Sequence, residues 1–166
     1  MPNAKTNTDV SAAAMLNDAR QYHEAAEGLF ESKPHLRRPI NALYFHTVEL
    51  ALKAYLRAHN VRRWGHEIAE LYNECRSLGL TIASDDQFGL GNVVSLLGKG
   101  NEDMAFRYFT RKSGSEPELG WTREVVGQLM PVVAAFVEAG MNTASGRAVK
   151  LTLIIGKPVP QEKLQR

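Results

Sequence analysis

His46, Glu49, Lys53, Arg57 and Asn60 follow one another at spacings of three and four, which on an α-helix gathers them into one stripe. An imidazole, a carboxylate and an ammonium within two turns can form a ligand site, or orient a ring for proton transfer. They can equally cancel one another as a solvated charge ladder that stabilises the helix by about 0.3–0.5 kcal/mol. The surrounding residues argue against that ordinary fate. From Arg38 to Asn60, Ile40, Leu43, Tyr44, Thr47, Val48, Leu50, Ala51, Leu52, Ala54, Tyr55 and Leu56 cover an apolar arc of roughly 240°. A helix that apolar belongs at the centre of a bundle, so its polar stripe must face a partner helix, a cleft or a thin strip of water.

A buried Glu49 requires a cation, because losing one partner of a buried pair costs about 3–5 kcal/mol. Arg107 is a candidate: its guanidinium can grip a carboxylate with two hydrogen bonds while Phe106, Tyr108 and Phe109 anchor the segment. His66 follows Gly65 at the start of a helical pattern, where a histidine is most often a cap or a packing residue. Two basic-aromatic clusters, Arg62-Arg63-Trp64 and Arg107-Tyr108-Phe109 with Arg111 and Lys112, suit a nucleotide or single-stranded RNA, since arginine contacts phosphate and aromatic rings stack on bases. The plain alternative is loop charges beside core aromatics.

Other chemistries find little material. No HExxH spacing exists, and His46 with His66 makes a poor metal pair. Gly89-Leu90-Gly91 and Gly98-Lys99-Gly100 fit neither dinucleotide nor P-loop patterns and read as helix-end glycines, so no cofactor is expected. Cys75, the only cysteine, lies on an apolar helix face and reads as an inert core thiol. It permits no intrachain disulfide and points to a reducing, cytoplasmic setting.

The elements that must position these residues are helical. Residues 1–8 are small and polar, a flexible lead-in. From Asp9, a plausible N-cap, the series Ala12, Met15, Ala19, Tyr22, Ala26, Leu29 predicts a first helix ending near Ser32 and stopped by Pro34. The central helix carries Pro39 in its first turn, where a missing N–H costs nothing. A third helix opens at Gly65-His66 and closes at Gly79. Phe88 to Leu97 predicts a short or broken helix because of its glycines. Asn101 to Phe109 reads as a short helical piece and Ser113 to Gly120 as a loop. Trp121 to Gly140 is the last long helix, with a kink or break expected at Pro131. Val149, Leu151, Leu153 and Ile155 then alternate with other residues in the period of a strand, within an extended tail over 141–166.

Size and charge fit this reading. The chain has 166 residues, 44% hydrophobic and 23% charged, ordinary for one globular domain. Twenty basic residues against 18 acidic leave a formal charge of +2, so any nucleic-acid partner must be met by local clustering. No run of about 20 apolar residues predicts a membrane span, and no export signal is evident.

HTVELALKAYL, then GHEIAEL after a short link, then Arg107-Tyr108, resembles the HEPN family, small helical domains named for nucleotide binding. The resemblance runs over roughly Asp9 to Gly140. It implies an up-and-down bundle of four or five helices, paired into a homodimer. It also implies, for many members, ribonuclease activity in toxin–antitoxin, defence or RNA-processing systems, and for some a nucleotidyltransferase partner. The catalytic members carry arginine, four to six residues, then histidine. Here Arg38 and His46 are separated by seven residues and Arg62 and His66 by three, and no histidine follows His66. The expectation is a non-catalytic domain whose binding site draws on His46, Glu49, Lys53, His66, Arg107 and Tyr108. The alternatives are a ribonuclease with a displaced His/Arg site, and a scaffold whose alternating tail adds a strand to a partner.

Overall fold

The structure, a computed structural model, describes residues 10–83, 89–101 and 116–144, with side chains to residue 140. Its elements are α1 (Ala12–Ser32), α2 (Arg37–Ala58), α3 (Ile68–Ser77), α4 (Leu90–Gly100) and α5 (Leu119–Ala144). No strand occurs among the described residues. The alternating segment after Arg147 and the Asn101–Phe109 piece beyond its first residue lie outside them.

α2 is central because its sequence leaves it no alternative. Ile40, Tyr44, Val48, Ala51, Leu52, Ala54 and Leu56 are fully enclosed, and α2 packs against each of the other four helices. α1 and α2 form an antiparallel hairpin whose sharp link contains Pro34, which cannot extend α1. α1 is capped by Ser11, whose Oγ accepts the Ala14 N–H at 3.1 Å. The cap expected at Asp9 is therefore two residues further on. Leu16, Ala19 and Ala26 face the core, while Tyr22, read as part of that stripe, stays exposed.

Two turns aim the site. α2 ends with Asn60 in the left-handed region, φ 62°, and the Val61 N–H reaches back to the Leu56 carbonyl at 2.9 Å. This closes the helix in the manner usually reserved for glycine. Gly65, φ 106°, then bends the link so that α3 starts back alongside α2; a side chain there would be strained. α3 buries Ile68, Leu71, Tyr72 and Cys75. The Cys75 thiol donates to the Leu52 carbonyl at 3.5 Å, and burial pushes it up to about 12, as suits an inert core thiol.

α4 is the short helix, 11 residues, of the two alternatives expected, short or broken. It runs unbroken from Leu90 to Gly100 with Gly89 at its N-cap. Gly91 sits under the Tyr72 ring, where an added Cβ would lie 3.3 Å from the ring carbon Cε1. Close packing on α3 thus offsets the poor helix propensity of glycine. α5 likewise continues through Pro131 without a break. Proline removes one hydrogen bond and crowds the carbonyl four residues back. That residue is Gly127, and both Gly127 and Pro131 are exposed, so water can serve the carbonyl.

Candidate functional site

The polar stripe of α2 converges on one carboxylate. The Glu49 side chain is only 6% exposed, and three groups meet it. Lys53 Nζ donates to Oε1 at 2.7 Å. His66 Nδ1 lies 2.7 Å from the same oxygen, and His46 Nδ1 is 3.7 Å from Oε2. Burial would raise the Glu49 carboxyl, but the nearby His46 ring, the hydrogen bonds from Lys53 and His66 and the Lys53 charge outweigh it and hold the group at about 2. An ionised carboxylate only accepts, so the proton between Glu49 and His66 sits on Nδ1.

The cation for Glu49 therefore comes from its own helix, one turn on. Arg107 and Tyr108 lie outside the described residues. His66 is not yet helical, since α3 begins at Ile68, and its side chain is 64% exposed. Glu49 fixes one edge of the ring and leaves the rest toward solvent. Trp64, two residues earlier, is 89% exposed, while the neighbouring Arg63 is tied to Glu74. His46 has a different setting: its ring lies 5.2 Å from that of Tyr22 on α1 and 5.5 Å, edge-on, from Phe45. At the far end of the stripe Arg57 and Asn60 line a separate cleft with Ser11, Ala12 and Arg62.

This arrangement of a buried carboxylate, a helix-borne lysine and an anchored histidine ahead of α3 stands on the two segments HTVELALKAYL and GHEIAEL. A family model of the HEPN domain matches residues 12–142. The chain belongs to the HEPN family. No curated protein and no solved structure matches it at a significant level. None of the described helices of this HEPN domain is long and apolar enough to cross a membrane.

A second polar cluster in the HEPN domain was not foreseen from the sequence. Glu27 on α1 accepts the Tyr44 hydroxyl at 2.7 Å and the Arg123 Nε at 2.7 Å, and Arg123 also donates to Glu31 at 2.9 Å. Burial, reinforced by the Glu27 hydrogen bond and charge, drives the Tyr44 phenol well above its usual range. His23 Nε2 lies 3.7 Å from Glu27 Oε1 and has no hydrogen-bond partner. Burial lowers its ring, against the pull of Glu27. The signal was available, since a tyrosine hydroxyl in an apolar arc needs a partner, and His23, Glu27 and Glu31 recur every four residues on α1.

Among the described residues no group of three or more His, Cys, Asp or Glu side chains could hold a metal ion.

Proposed function

We propose that this HEPN domain is a non-catalytic homodimer that binds a nucleotide or single-stranded RNA segment at the end of the α2 stripe. Trp64 supplies the stacking surface there, and His66 with Lys53 supplies the polar contacts. The observation that carries the reading is the His66 ring, held by Glu49 at 2.7 Å yet 64% exposed, two residues from a tryptophan that is 89% exposed. Stacking of a base on an exposed ring of this kind is worth about 1–3 kcal/mol. The missing arginine–histidine spacing supports binding without cleavage. The family supports pairing, a toxin–antitoxin or defence setting, and a nucleotidyltransferase or other protein as a further partner.

The test uses tryptophan fluorescence, since Trp64 and Trp121 are the only two tryptophans. Titration with a nucleotide or short single-stranded RNA should quench the wild type. Trp64→Phe should lose the quench, and His66→Ala should bind about tenfold more weakly. Light scattering should give twice the chain mass. No binding up to millimolar ligand by either fluorescence or calorimetry would overturn the reading.

One observation favours a second reading. A buried carboxylate on Nδ1 of an exposed imidazole is the arrangement that readies Nε2 for proton transfer, as a ribonuclease with a displaced site would need. RNA cleavage in the presence of a chelator, lost in His66→Ala and His46→Ala, would establish it. Cleavage equal in wild type and both variants would remove it.

A further inference from the structure

α5 turns to solvent a face that no described residue covers. Gly127, Pro131, Val132 and Ala135 are exposed on it, Val132 by 37%, and a Cβ added at Gly127 would meet nothing within 4 Å. No charged side chain occurs from Val125 to Val137, a rise of about 18 Å. Glutamates close the stretch at both ends. Glu138 pairs with Arg20 on α1, and Glu124 lines a cavity of about 280 Å³ with His23, Glu27, Gly120, Arg123 and Gly127. The neighbouring side of α1 is acidic as well: Glu27 and Glu31 both reach Arg123 on α5, and Glu24 shares their side of the helix. Against Arg20 and Arg123, these five glutamates leave the α1–α5 seam an excess of three negative charges.

The continuation of the chain past Ala144, outside the described residues, has the complementary pattern. Residues 145–166 hold five of the 20 basic residues and one of the 18 acidic ones, which gives them a charge of +4 against −2 for the rest of the chain. Arg147, Val149, Leu151, Leu153, Ile155 and Lys157 fall at every second position, so one side of an extended chain presents four aliphatic side chains with a cation at each end. Val149 to Ile155 then spans about 20 Å, close to the length of the uncharged stretch on α5. Ser145-Gly146, directly after the end of α5, is a turn-forming pair. We propose that residues 147–157 fold back along α5 of the same chain, Val149, Leu151, Leu153 and Ile155 covering the Gly127–Ala135 face, Arg147 meeting Glu138, and Lys157 meeting Glu124 at the cavity. Glycine and alanine on that face let an extended backbone approach the helix closely. Connectivity favours the tail of the same chain over that of a second copy, because it reaches the face after a two-residue turn and is spared the entropic cost of association. The proposal is independent of the Trp64–His66 reading.

Hydrogen exchange read by mass spectrometry on the full chain tests it. Amides of residues 149–155 should exchange at least roughly tenfold more slowly than in a free peptide of residues 145–166, at any protein concentration. V132K puts a charge on a position that is already exposed and should return these amides to the free-peptide rate. E124K and K157E should each weaken the protection severalfold, and the charge swap that combines them should recover it, a rescue that structure intrinsic to the tail would not show. A second readout uses introduced cysteines, since the only native one, Cys75, is buried. Mild oxidation of E124C/K157C should close an intrachain disulfide at least roughly tenfold faster than in E70C/K157C, whose first position is exposed on α3 away from the proposed path. Free-peptide exchange in the wild type, protection that ignores V132K and E124K alike, or equal closure rates for the two cysteine pairs overturns the docking. Protection that rises with protein concentration, or a disulfide-linked dimer in place of the intrachain product, gives the face to the tail of a second copy and overturns docking within one chain.

Discussion

His66 Nδ1 and the Glu49 carboxylate meet at 2.7 Å across the α2–α3 link, and the same Glu49 oxygen takes the Lys53 ammonium at 2.7 Å. One buried charge thus sets the rotamer of an exposed imidazole and ties the start of α3 to the middle of α2. The two roles separate experimentally, because Glu49 is buried and His66 is not.

Glu49→Gln leaves Lys53, itself largely buried, without its counter-charge and should cost about 3 kcal/mol at pH 7. His66→Ala removes an exposed partner and should cost less than about 1 kcal/mol. The Glu49 carboxyl titrates at about 2 in the folded chain against an ordinary value of 4.5. Its contribution is therefore complete above about pH 4.5 and is lost as pH falls through about 2. Urea melts at pH 7 and at successively lower pH should show wild type and Glu49→Gln converging on acidification. A gap that widened at low pH would contradict this assignment.

The Glu27 cluster predicts the tyrosine titration. Burial and the Glu27 carboxylate hold the Tyr44 phenol far above its usual range, and burial raises Tyr55 as well. Ultraviolet absorbance on alkalinisation should leave a fraction of the five tyrosines un-ionised until the chain unfolds. Tyr44→Phe should remove part of that late component and destabilise the fold by about 1 kcal/mol. A late component the same size in wild type and variant would mean that Tyr44 ionises freely.

Glu118 makes a local prediction at the start of α5. Its carboxylate accepts the Gly120 N–H at 2.9 Å and the Trp121 N–H at 2.7 Å, and these bonds lower its carboxyl. Glu118→Ala should cost about 1 kcal/mol, the usual loss of a cap. Glu118→Gln, which keeps an acceptor, should lose about half of that in parallel thermal melts.

What the sequence disclosed was the pattern that burial enforces. The wide apolar arc of α2 made it central, and the spacing of His46, Glu49 and Lys53 marked a carboxylate in need of a cation. The same reading offered Arg107, which lies outside the described residues, as one candidate for that cation, because helical periodicity reports which residues share a face and not which rotamers close. Lys53 was near enough to satisfy Glu49 within one helix. The glycines of α4 left a short and a broken helix both open for a related reason: propensity is a local quantity, whereas the Tyr72 ring that fits over Gly91 arrives from another helix. Likewise the Glu27–Tyr44–Arg123 cluster joins three helices and has no contiguous motif.

Pro131 offers a stability test of the same kind, where local preference and context compete. The sequence predicts a kink or break, since proline in a helix interior costs about 3 kcal/mol or more, and of these the break is absent, α5 running on to Ala144. The carbonyl crowded by the ring belongs to Gly127, which has nothing within 4 Å of where its Cβ would be and so has room to adjust. Pro131→Ala restores an N–H to that carbonyl and removes the clash, and should stabilise the domain by about 1–3 kcal/mol, several degrees in Tm. Gly127→Ala should do the reverse in the Pro131 background, stiffening the one residue that accommodates the ring, and should be neutral or stabilising in the Pro131→Ala background. A double-mutant cycle read by thermal melts therefore isolates the coupling. A Tm unchanged or lowered in Pro131→Ala would show that the backbone at Gly127 has already relaxed fully around the proline.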